Sequence, residues 1–114
     1  MVQSKLATLD FWNIIMRLTE QQVNIIRQVV VNLAGKSARI TLFGSRVDDT
    51  KKGGDVDLLI TIPELVQHPA ELSAKISAQL IRKFEGRKVD VILSAPNLKD
   101  LPIHAIAQKT GIVL

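Results

Sequence analysis

Asp55, Asp57 and Asp90 are the residues of this chain whose type and setting ask for a chemical explanation. The first two stand in GGDVDLLI (53–60), at the entrance to an apolar stretch, and the third interrupts KVDVIL (88–93). Side chains on a strand alternate, so Asp55 and Asp57 share one face while Val56 and Leu58 take the other. Two carboxylates a few ångströms apart repel each other and lose hydration as the strand enters a core. At an effective dielectric near 20 that costs about a few kcal/mol unless a cation lies between them. An oxygen-seeking divalent ion meets the need, and Mg²⁺ in particular prefers one or two carboxylates plus substrate phosphates. For a bare D-x-D the ordinary alternative is an exposed acidic pair held by Lys51, Lys52 or solvent.

Two further features bear on that choice. Asp90 lies between Val89 and Val91, where a lone carboxylate on a central strand is expensive to bury without a partner. If its strand lies beside 55–62, three carboxylates converge and form a two-metal site. The competing picture is an aspartate at a sheet edge, paired with Lys88 or Arg87. The second feature is Gly44-Ser45, directly after the stretch ARITLF (38–43). A glycine at the apex of a turn lets backbone N–H groups approach a phosphate, the serine hydroxyl adds a donor, and Arg46 adds charge.

These residues need elements to hold them. Thr19 with Gln22 three residues on is a capping-box pattern, and Val23, Ile26, Val30 and Leu33 follow at helical spacing until Gly35. Residues 38–43 alternate and read as a strand; 55–62 read as a second, closed by Pro63. Pro69 opens a helix with Leu72, Ile76, Leu80 and Phe84 on one stripe. A third strand at 87–93 stops at the Ser94–Pro96 turn, and a last helix at about 99–109 ends at Gly111 before an apolar tail, IVL. The order α-β-β-α-β-α predicts an α/β (α+β) fold, a small mixed β-sheet flanked by helices. The first two strands pair antiparallel or within a mixed sheet, and the helix before the third acts as a crossover that favours parallel pairing. Residues 1–16 stand apart as an N-terminal extension whose LDFWNIIM segment reads as an extra helix packed on the core, a docking element or a frayed start, leaving 17–114 as the domain.

Bulk properties narrow the classes. At 114 residues there is room for one core but not for a spacious cleft as well. Hydrophobic residues make up 46% and charged residues 23%, as in an ordinary folded protein. The absence of cysteine excludes a disulfide scaffold and a thiolate-bound zinc. No apolar run reaches the ~18 residues of a membrane span and no secretory signal opens the chain, so a cytoplasmic location is expected. A net charge of +4 favours polyanions. With three Phe and one Trp, however, a nucleic-acid acceptor has little support.

Other motifs fail on their own terms. Gly35-Lys36-Ser37 would need a glycine where Val30 stands and should follow a strand to be an ATP-binding P-loop. An EF-hand starting at Asp55 would need glycine at Ile60 and glutamate at Val66. His68 and His104 are far apart and suit surface or packing roles better than a triad or zinc site.

The stretch LFGSRVDDTKKGGDVDLLI, with its G-S-x9-D-x-D spacing and a later strand aspartate, resembles the minimal nucleotidyltransferases of the DNA polymerase β-like superfamily. The resemblance covers Arg17 to the C-terminus and is closest to the nucleotide-binding subunit of two-protein nucleotidyltransferases, many of which form HEPN–MNT toxin–antitoxin pairs. It implies that Gly44 and Ser45 bind the nucleotide phosphates, to which the charge of Arg46 is added as a candidate contact, and that Asp55, Asp57 and Asp90 are catalytic and bind a two-ion Mg²⁺ site. The substrate would be ATP or another NTP, from which NMP passes to an acceptor hydroxyl. The expected partner is a separate helical protein, a substrate-binding or toxin subunit, in a hetero-oligomer or a homodimer. Two alternatives stay open: an antitoxin that adenylylates its partner toxin, and a non-catalytic nucleotide-binding regulatory module.

Overall fold

The computed structural model describes residues 18–43 and 56–114. Helix α1 runs Glu20–Ala34. Its capping box is formed in full: Gln22 N–H donates to Thr19 Oγ1 at 3.1 Å and Thr19 N–H donates to Gln22 Oε1 at 2.9 Å. Two of the helix's orphan donors or their neighbours are thereby satisfied before the apolar stripe begins. Val23, Ile26, Val29 and Val30 are buried on that stripe, whereas Leu33 is only half-buried against the core.

Strand β1 (Arg39–Phe43) pairs antiparallel with β2 (Val56–Thr61), placing Ile40 opposite Ile60, Leu42 opposite Leu58 and Phe43 opposite Asp57. Helix α2 (Pro69–Lys83) then crosses over to β3 (Val89–Ser94), which lies parallel to β2. A parallel neighbour cannot be reached by a hairpin, so the crossover helix is required. The turn out of α2 puts Gly86 at φ 91°, in the left-handed region, with its N–H donating to Ile81 O at 2.9 Å. That closes the helix and redirects the chain into β3.

Helix α3 (Pro102–Thr110) begins three residues later than the periodicity predicts, at its proline, and β4 (Ile112–Val113) follows. The apolar tail IVL joins the sheet: Ile112 and Val113 pair antiparallel with Leu42 and Thr41 of β1. Two residues are too few for periodicity to reveal a strand. Gly111 makes the turn possible, because a Cβ there would collide with Ala107 O and Thr41 Cγ2 and lie 2.9 Å from Leu42 O.

Among the described residues the sheet order is β3-β2-β1-β4, mixed as predicted, with four strands instead of three. Its two faces differ. Val56, Leu58, Ile60, Ile40, Leu42, Val89 and Leu93 join the apolar stripes of α1 and α2 in one core. On the opposite face Thr41 and Leu59 are buried, and α3 packs there through Ala107, which is fully buried. Among the described residues no helix is long and apolar enough to cross a membrane.

Candidate nucleotidyl-transfer site

One end of that second face carries two of the three candidate acids. By strand alternation and register, Phe43, Asp57 and Asp90 form one row across β1, β2 and β3. Asp57 and Asp90 are direct partners on neighbouring parallel strands, whose backbones lie about 4.8 Å apart. Asp57 is half-buried and Asp90 exposed. Two like charges about 5 Å apart cost ~3 kcal/mol at an effective dielectric of 20 and under ~1 kcal/mol in water, so the exposure of Asp90 softens the repulsion without removing it. Lys88 Nζ stands 3.9 Å from Asp90 Oδ2, with both side chains more than half exposed.

One premise of the sequence reading is corrected. β3 is an edge strand, not a central one, so the burial cost that singled out Asp90 does not apply. The edge pairing with Lys88 is present. What brings Asp90 to Asp57 is register, which places the two acids together although 32 residues separate them in the chain (90 − 57 = 33 positions).

Gly44, Ser45, Arg46 and Asp55 lie outside the described residues, as does the segment 1–16. The chain leaves the sheet at Phe43 and returns at Val56, at the same end as the acid row. Among the described residues no group of three acids or histidines is placed to hold a metal; Asp57 and Asp90 stand as a pair. Their donor set fits a hard cation: carboxylate oxygens on one face, at least one of them open to solvent, with no sulfur or imidazole beside them among the described residues.

The histidines behave as packing and surface residues. His104 is 4% exposed, its Nε2 donating to Leu93 O at 3.0 Å while its Nδ1 accepts from Leu101 N–H at 2.9 Å. His68 is exposed at the start of α2 and makes no side-chain cap bond. Two clefts of about 360 and 400 Å³ are lined by Arg27, Arg39 and Val113 and by Leu65, His68 and Lys75 respectively, and neither contains Asp57 or Asp90. In the first, Arg27 already donates through Nε and Nη2 to the Leu114 main-chain oxygen at 3.0 and 2.6 Å.

Sequence reasoning passed over Phe43 as a member of the acid row and treated Lys88 only as a counter-ion. Phe43 carried no signal, since its position beside Asp57 depends on antiparallel register. Lys88 did carry one: K-x-D puts it on the face of Asp90.

No curated protein matches the chain in sequence. A family model does match it, that of the nucleotidyltransferase domain, over residues 23–112. The match runs from within α1 to the first residue of β4 and includes Gly44, Ser45, Asp55, Asp57 and Asp90. With the mixed sheet, the crossover helix and paired acids in place, the chain belongs to the nucleotidyltransferase domain family of the polymerase β-like superfamily, whose general chemistry is nucleotidyl transfer.

Proposed function

We propose that this protein transfers a nucleoside monophosphate, AMP from ATP, to an acceptor hydroxyl and releases pyrophosphate, working as the nucleotide-binding subunit beside a separate helical partner. The observation that carries the reading is the register of Asp57 with Asp90 at one end of the sheet. Mg²⁺ held by Asp55, Asp57 and Asp90 would neutralise the triphosphate and acidify the acceptor hydroxyl. Asp57, half-buried and fixed by two neighbouring strands, orients its carboxylate with little freedom to lose. Asp90, on the exposed edge, is the acid an incoming acceptor can reach. Its carboxylate takes the hydroxyl proton as the acceptor oxygen bonds to the α-phosphorus and the bond to the pyrophosphate oxygen breaks. Gly44, Ser45 and Arg46 would hold the β- and γ-phosphates so that the leaving oxygen lies in line with the attacking one.

The reading of a partner follows from the resemblance to the nucleotide-binding subunit of two-protein nucleotidyltransferases, in which a separate helical protein would supply the acceptor site. A toxin tyrosine hydroxyl on that partner would be served by the same chemistry. The decisive assay uses α-labelled ATP with the co-purified partner. Asp57→Asn should lower label transfer by about a thousandfold, since positioning and charge neutralisation supply most of the catalysis. An undiminished rate in that variant overturns the mechanism, and nucleotide binding without pyrophosphate release in the unaltered complex favours the non-catalytic module instead.

A further inference from the structure

Lys88 immediately precedes β3, and its main-chain oxygen accepts Val56 N–H at 3.0 Å, so the parallel ladder extends to it. Two residues before Asp90, it projects to the face that carries Asp57, and the 3.9 Å approach of Nζ to Asp90 Oδ2 agrees with that direction. The pair is 64% and 51% exposed, which leaves it screened and easily exchanged. A lysine serves such a position because its ammonium is a compact charge on a flexible four-carbon stem, able to swing between two anions without a fixed fork of donors to realign.

We propose that Lys88 is a displaceable cation of the acid row. It neutralises Asp90 while no divalent ion is held there, and it turns to the nucleotide triphosphate once Asp90 is engaged by one. The inference rests on the metal-holding reading above and adds a residue that this reading does not use. Its physical basis is charge balance. An ammonium and a divalent ion cannot share one carboxylate without repelling each other, and the triphosphate brings new negative charge to the same face. Lys88 would thus weaken the uptake of a bare ion and strengthen the uptake of an ion that arrives with nucleotide, favouring the productive complex over a dead-end metal complex.

The test is calorimetric titration of the full-length chain, first with Mn²⁺ alone and then with Mg–ATP, for the unaltered protein, Lys88→Met, Lys88→Arg and the remote control Lys83→Met. Lys88→Met should bind Mn²⁺ about two- to fivefold more tightly, the scale of one exposed ion pair. The same variant should bind Mg–ATP about three- to tenfold more weakly, the scale of one charged contact to phosphate. Lys88→Arg, which keeps the charge but brings a fork of donors to realign, should fall between the unaltered protein and Lys88→Met in both titrations. A merely structural lysine would not move the two affinities in opposite directions. Mn²⁺ affinity unchanged in Lys88→Met, or equal changes in Lys83→Met, overturns the role of Lys88 while leaving the metal site standing. Absence of Mn²⁺ and Mg–ATP binding in the unaltered protein removes the metal reading and this inference together.

Discussion

The two faces of the β-sheet are built to opposite specifications. The face under α1 and α2 is apolar along its whole length, from Val56 and Val89 to Ile40 and Ile60. The other is divided: α3 packs on β1, where Thr41 is buried, and the acid row of Asp57 and Asp90 stands toward the strand ends at Phe43 and Val56. Both faces are supplied by the same strands, so residues adjacent in sequence serve different ends. Leu58 is fully buried in the core and its neighbour Asp57 is half-buried in the site. Among the described residues, two helices exclude water from the first face, and α3 is the helix that packs on the second. That separation lets like charges collect beside a core without being placed inside it.

The contrast is broken most sharply at these neighbours. Asp57→Asn should abolish nearly all transfer at a smaller cost in stability than a core truncation, because it keeps the side chain's size and opens no cavity. Leu58→Ala should do the reverse and cost about 3 kcal/mol of stability, since it opens a cavity at a fully buried position. Denaturant unfolding monitored by circular dichroism checks both. If Asp57→Asn unfolds as readily as Leu58→Ala, the two faces are not separable in the way described.

Further effects are smaller. His104 fastens the start of α3 to Leu93 on the edge strand, so His104→Ala should cost about 2 kcal/mol by leaving Leu93 O and Leu101 N–H without their side-chain partner. Hydrogen exchange should quicken in α3 before it does in α1. Thr19→Ala, which removes the capping box of α1, should cost about 1 kcal/mol and leave nucleotide binding intact. Equal loss of protection in both helices on His104→Ala would mean that α3 is not the separately held cover inferred for the second face.

The edge strand illustrates a related economy. Lys88 and Ser94 use their main-chain oxygens toward β2, so Val89 and Leu93 direct theirs outward. Ser77 Oγ donates to the first at 2.5 Å and His104 Nε2 to the second at 3.0 Å. Side chains from helices on opposite faces thereby occupy acceptors that an unpaired edge would otherwise offer to another strand. Sequence periodicity could mark His104 as a packing residue but not say what it packs for, because its acceptor lies on a separate element.

Much of this was legible before the structure. Thr19, Gln22 and Gly35 bound α1, Pro69 opens α2, and alternation identifies the three longer strands, because each of these signals is settled within a turn or two of the chain. The shared face of Lys88 and Asp90 follows from spacing of two alone. What the linear order left undecided was where β3 sits in the sheet, whether its acid falls beside Asp57 or a residue to either side, and that Ile112–Val113 completes the opposite edge. Those depend on how far the crossover helix carries the chain and on which apolar faces must be covered, and a slip of one residue would have turned Asp90 to the other side. Local patterns choose the elements; only the packing of all of them together chooses the register.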